Sequence, residues 1–196
     1  MNPKTPTIDE FLARIASENV SPAGGTASAV VGAIGTSLCE MVCIHTVEND
    51  EYADVAADVA DLRDELRRQR AHLLDLAEAD ATVVDELFST TAGEMGQQDI
   101  KRSIGIPLTV AVACGTVLDL AVEVTAKGNR NALGDAGTGV FLAHAALRAA
   151  IFTVGINTEY LTDQSFVNEV ERRTAEIELQ ADDAHEQVMH QIEERV

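Results

Sequence analysis

Tryptophan is missing from this chain of 196 residues, and aromatic residues together make up only 4% of it. The core must therefore come from alanine, valine, leucine and isoleucine, a composition that favours packed helices over a β-sandwich. Lysine is nearly missing as well. Only Lys4, Lys101 and Lys127 supply it, and 33 acidic residues stand against 14 basic ones for a formal charge of -19. Such an excess repels nucleic acid and anionic membranes, so neither is an expected partner. Acidity with lysine depletion suits concentrated salt, where a Debye length of about 3 Å at 1 M screens self-repulsion. The expectation is a salt-adapted, halophilic protein of the cytoplasm; the plainer alternative is an ordinary acidic surface.

Other scarcities narrow the reading further. Cysteine occurs three times, as Cys39, Cys43 and Cys114 inside apolar runs, which suits buried reduced thiols better than a disulfide framework. Met1 to Glu10 has no apolar signal core, and the later apolar runs are interrupted by Glu40, Glu123 or Arg148. No export signal or membrane span is expected. The five histidines are scattered without ligand-type spacing, so no metal is expected. Strand alternation, linkers and repeats of 20 to 50 residues are missing too, which leaves one domain over residues 1–196.

What is present is helical pattern. Thr7-Ile8-Asp9-Glu10 has capping-box spacing and predicts a helix to about Ser17. Ser21-Pro22-Ala23-Gly24-Gly25 is turn chemistry, followed by a helix from Thr26 to about Val47 that is apolar nearly all round. From Glu51 to about Thr90 a charged helix carries an inward seam at Val55, Val59, Leu62, Leu66, Gln69, Leu73, Leu76, Asp80, Val83 and Leu87, in alternating steps of four and three. Thr91 to Gln98 reads as a loop. Asp99 to Lys127 reads as a helix broken or kinked near Pro107. The dense turn signal from Gly128 to Asp135 leads to another apolar helix, about Ala136 to Gly155, with Asn157 just beyond, and a last amphipathic helix covers about Asp163 to Glu194. The fold class implied is all-α: a single-domain antiparallel helical bundle with two inner apolar helices. Four outer helices cover two such inner ones poorly, so a homodimer is expected.

Three constellations could carry chemistry. Asp80 falls on the packing seam between Leu76 and Val83, where a carboxylate loses hydration and stability alone favours leucine. It either pairs with an arginine or drifts to solvent, or it is a desolvated carboxyl with a raised pKa, able to move protons near neutrality. The turn Gly24-Gly25-Thr26 either offers amides and a hydroxyl to an anion at a helix start, or, with Ala29, Gly32 and Gly35, merely lets backbones approach. The sequence GxxxxGK[ST] does not occur, which excludes a P-loop. Asn129, Asn131, Asp135 and Asn157 are either turn formers and caps, or, through the asparagine amides, suited to a flat heterocycle with an amide edge.

With these motifs laid out, the chain resembles the cyclodeaminase/cyclohydrolase family of formiminotransferase-cyclodeaminase domains and methenyltetrahydrofolate cyclohydrolases, from about Ile8 to Glu193. Pro22-Ala23-Gly24-Gly25-Thr26 resembles the family's PGGGS turn, Glu78-Ala79-Asp80-Ala81 its aspartate segment, and Ile106-Pro107-Leu108 its VPL break. Gly128-Asn129-Arg130-Asn131 with Asp135 resembles the GNxN…SD loop, and Ile156-Asn157 the end of NVxIN. The chain departs from the family pattern at Ala23, Thr26, Val83-Val84, Gly134 and Thr153, and its loop after Leu87 is short and lacks the family's lysine.

The resemblance implies an all-helical dimer acting on one-carbon units of tetrahydrofolate, with Asp80 catalytic and no cofactor or metal beyond the folate substrate. It implies substrate contacts from Gly24, Gly25, Thr26, Asn129, Arg130, Asn131, Asp135 and Asn157. The leading activity is hydrolysis of 5,10-methenyltetrahydrofolate to 10-formyltetrahydrofolate. Formiminotetrahydrofolate cyclodeaminase, releasing ammonia, and a non-catalytic folate-binding scaffold are the alternatives.

Overall fold

The computed structural model describes residues 6–89 and 96–195. Among them are six α-helices, two single turns of 3-10 helix and no strand: α1 Ile8–Ile15, α2 Gly24–Val47, α3 Ala56–Ser89, α4 Gln97–Lys127, α5 Leu133–Thr158 and α6 Gln164–Arg195. The 3-10 turns, Asp50–Tyr52 and Arg130–Ala132, lead into α3 and α5. Of the loop expected over Thr91 to Gln98, residues 91–95 lie outside the described residues, Gly96 caps α4 and Gln97 begins it.

Two of the helices, α1 and α6, begin where a local side chain satisfies free amides. At α1 the expected box forms: Glu10 N–H donates to Thr7 Oγ1 at 3.2 Å and Thr7 N–H to Glu10 Oε2 at 2.7 Å. The helix still buries none of its residues. Asp163 caps α6, accepting from Phe166 N–H at 3.1 Å. The start of α2 lacks a side-chain cap from its own Ala23, a gap filled from elsewhere in the fold.

Side-chain pairs fix how the long helices run. Asp80 meets Thr26 at 2.7 Å while Arg67 and Arg70 meet Glu40 at 3.0 and 2.9 Å, so α3 runs back along α2. Asn129 bonds Thr46 at one end of α2, whereas Asn157 and Gly24 line one cavity at the other, so α5 also runs back along α2. Gly35 and Gly139 allow that approach: a Cβ on Gly35 would lie 2.5 Å from the Gly139 carbonyl. One apolar core joins α2, α3, α4, α5 and α6, with Leu66, Leu73, Val117, Leu118, Val140 and Leu147 fully buried. Every seam position counted on α3 is buried or half-buried.

Two expectations need correction. Pro107 does not break α4, which runs through it with the proline buried. Its missing N–H orphans the Ser103 carbonyl, and a side chain from α5 supplies the replacement donor. The final apolar helix extends to Thr158, so Asn157 belongs to its last turn rather than lying beyond it. By length and composition, Gly24–Val47, Gln97–Lys127 and Arg130–Thr158 are each apolar enough to cross a membrane, and the charges at Glu40, Glu123 and Arg148 do not undo this. The three cysteines are free and buried, and desolvation pushes each thiol up to about 12.

Candidate active site

Asp80 sits one helical step below Val83 on α3 and is 7% exposed. It neither pairs with an arginine nor turns to solvent. Its Oδ2 accepts the Thr26 hydroxyl at 2.7 Å, and the Thr26 backbone N–H also bonds the carboxylate, which thus closes the first turn of α2 that Ala23 leaves uncapped. Gly25 makes room for it: a Cβ there would lie 2.4 Å from Asp80 Oδ1. Burial pushes the Asp80 carboxyl above its ordinary value, while hydrogen bonds from the Thr26 side chain and backbone pull it partly back. Desolvation dominates, the condition for a carboxyl that exchanges protons closer to neutrality.

Beside Asp80 opens a cavity of about 530 Å³ between the start of α2 and the ends of α3 and α5. Its walls are apolar, from Val83, Val84 and Leu87 of α3, Ile100 and Ile106 of α4, and Ile156 of α5. Phe88 and Tyr160, both well exposed, also line it. Of the polar side chains in the wall, Ser103 and Thr153 have already spent their donors and Asn157 one of its two. Ser103 Oγ donates to the Ile100 carbonyl at 2.8 Å, Thr153 Oγ1 to Ala149 at 3.1 Å, and Asn157 Nδ2 to Ser103 at 2.9 Å. Besides the second N–H of Asn157, what these groups and Asp80 can still offer a ligand is acceptor lone pairs. The arrangement suits a flat, apolar molecule that carries positive charge and N–H groups.

The cavity gathers some of the residues singled out in the sequence and not others. Asp80, Gly24, Gly25 and Asn157 line it together, and Thr26 touches Asp80. Asn129, Arg130, Asn131 and Asp135 lie at the opposite end of α2. Asn129 N–H donates to Thr46 Oγ1 at 2.8 Å, Arg130 N–H to the Tyr52 hydroxyl at 2.9 Å, and Asn131 N–H to Asn129 Oδ1 at 3.0 Å. Thr26 and Thr46 are roughly 30 Å apart at 1.5 Å per residue, so within one chain this loop does not reach Asp80. The departures at Ala23, Val83, Val84 and Thr153 all line the cavity, while Gly134 does not. The sequence reading passes over Ser103, Phe88 and Tyr160; of these only Ser103 carries a signal, standing four residues before Pro107.

A helical chain that holds a desolvated carboxyl at a helix start, facing an apolar cavity, has an arrangement able to exchange protons with a small organic molecule. More particularly, the chain belongs to the formiminotransferase-cyclodeaminase family, whose profile matches residues 7–176. It is 35% identical over 176 residues to a methenyltetrahydrofolate cyclohydrolase of Methylorubrum extorquens, spanning 83% of this chain and 84% of that one. It is 22% identical over 183 residues to a formimidoyltransferase-cyclodeaminase of Rattus norvegicus, spanning 87% of this chain but 34% of that longer protein. The crystal structure of formiminotetrahydrofolate cyclodeaminase from Thermotoga maritima shares the fold, with a TM-score of 0.91 over 96% of both chains at 24% identity.

Proposed function

We propose that the chain is a methenyltetrahydrofolate cyclohydrolase, and the observation that carries this reading is the buried Asp80 carboxyl beside an acceptor-lined apolar cavity. The substrate's bridging carbon belongs to a cationic amidinium. Asp80 attracts that cation and takes a proton from water as the oxygen bonds to carbon, giving a neutral tetrahedral adduct. The carboxyl then returns its proton to the departing folate nitrogen as the carbon–nitrogen bond breaks. The adduct's hydroxyl proton leaves to solvent, and 10-formyltetrahydrofolate remains. One proton is released per turnover, and the steps call on no cofactor or metal. The amides of Gly24 and Gly25 supply donors at the same end of the cavity.

In this reading two copies act together in the cytoplasm as antiparallel bundles, without nucleic acid or membrane. Phe141 and Phe152 of α5 are 56% and 71% exposed, and Ile34 and Ile156 are exposed as well. A second copy covers this face, and the loop bearing Asn129, Arg130, Asn131 and Asp135 reaches an Asp80 cavity only from that copy.

The rival activity, formiminotetrahydrofolate cyclodeaminase, uses the same carboxyl to protonate departing ammonia, and a scaffold uses the cavity only to bind. The greater identity to a cyclohydrolase of similar length favours hydrolysis. Purified protein given methenyltetrahydrofolate and formiminotetrahydrofolate separately distinguishes the three. Loss of methenyl absorbance is expected; ammonia release from the second substrate alone makes it a cyclodeaminase, and consumption of neither in high salt leaves the scaffold.

A further inference from the structure

A proline inside a helix has no N–H for the carbonyl four residues earlier. In α4 that proline is Pro107 and the carbonyl is that of Ser103. A carbonyl stranded beside an apolar cavity costs free energy until some donor reaches it. Asn157 of α5 is that donor, through Nδ2 at 2.9 Å. Because a carbonyl can only accept, the amide cannot be turned the other way round: its nitrogen faces Ser103 and its oxygen faces away. Asn157 lines the cavity, and among the described residues no donor reaches its Oδ1.

We propose that Asn157 is a specificity-determining residue whose Oδ1 accepts a hydrogen bond from the N–H edge of the bound heterocycle, and that Pro107 is a positioning residue which locks this orientation by orphaning the Ser103 carbonyl. The ligand class follows from the chemistry: a flat ring with an amino or amide N–H edge, carried into an apolar slot with a carboxylate nearby. Taking that ring to be the aminopyrimidinone of a folate rests on the cyclohydrolase reading. An ordinary residue at position 107 would donate its own N–H to Ser103, leaving the Asn157 amide free to rotate and to present donor or acceptor alike. The fixed orientation of the Asn157 amide is therefore a consequence of a missing donor on a neighbouring helix.

Two variants and two substrates test this. The substrates are 5,10-methenyltetrahydrofolate and its analogue with a methyl group in place of the 2-amino group. Wild type is expected to prefer the parent in kcat/KM by about 10- to 100-fold, the range of one hydrogen bond whose loss strands a buried partner. Asn157→Leu, similar in size, is expected to raise KM for the parent by a comparable factor, to change kcat far less, and to bring the preference close to one. Pro107→Ala gains a helix hydrogen bond, so it reports even where Asn157→Leu fails to fold, and it is expected to weaken the preference with no loss of Tm. Wild-type preference retained in the folded variants overturns the inference while leaving the cyclohydrolase reading intact. Failure of wild type to turn over the parent removes that reading, and this inference with it.

Discussion

Asp80 carries two opposed demands, and they predict opposite effects of one substitution. Burial raises its pKa above the ordinary value, so the folded state binds this proton more tightly than the unfolded state. The stability this contributes is present at low pH and is lost as pH rises through the folded value. At neutral pH the buried charge therefore works against folding. Asp80→Asn keeps an oxygen for the Thr26 hydroxyl and removes the charge. It is expected to lower turnover by roughly 100-fold or more, the usual scale of acid–base catalysis. The same variant should melt about 2–4 °C higher at neutral pH, the shift each kcal/mol gives a domain of this size. That gain should vanish below the ordinary aspartate range, which thermal melts across pH will show. Thr26→Val is the complementary probe: it deletes a hydrogen bond that lowers the Asp80 pKa. The acid limb of its kcat/KM profile should move to higher pH while the plateau above it persists. A limb that stays put would assign the titration to another group.

At the scale of the helices, close approach is set by residues that lack side chains. A Cβ on Gly35 would lie 2.5 Å from the Gly139 carbonyl oxygen and 2.9 Å from Ala143 N, both backbone atoms that cannot swing aside. Gly35→Ala should therefore cost about 1–3 kcal/mol in a denaturant titration, as overpacking does. Gly105→Ala in α4, with nothing within 4 Å of the added carbon, should be stabilising by up to about 1 kcal/mol through helix propensity. This contrast also explains what could be read in advance. The α3 seam was legible because a helix buries one face at a fixed period, and that count marked Gln69 and Asp80 as its two polar positions, of which only Asp80 carries a charge that burial penalises. A cap supplied by another helix has no local spacing, so the partnership of Asp80 with the start of α2 was not legible from either segment. The error at Pro107 has the same origin. A proline announces a lost hydrogen bond in sequence, but the Asn157 donor that repairs it comes from a position 50 residues later and shows only in the packing.

The whole molecule joins a formal charge of -19 to an uncovered apolar face on α5. These act in opposite directions on assembly. Charge repels a second copy at low ionic strength, whereas burying Phe141 and Phe152 favours association at about 25 cal/mol for each Å² removed from water. Salt shortens the Debye length from about 10 Å at 0.1 M to about 3 Å at 1 M, which weakens the repulsion while leaving the apolar term in place. Sedimentation should accordingly show the dimer fraction, the melting temperature and folate turnover rising together with KCl. Phe152→Glu separates assembly from chemistry, because Phe152 does not line the Asp80 cavity. It should leave a folded monomer with unchanged helical content, and turnover should fall because the loop of Asn129 to Asp135 can serve a cavity only across the interface. Full activity in a monomer would mean that the cavity of one chain suffices and that the distant asparagines serve only to turn the backbone. Dimers that form equally at low and high salt would instead place the acidic residues away from the contact and remove the argument for salt adaptation at that surface.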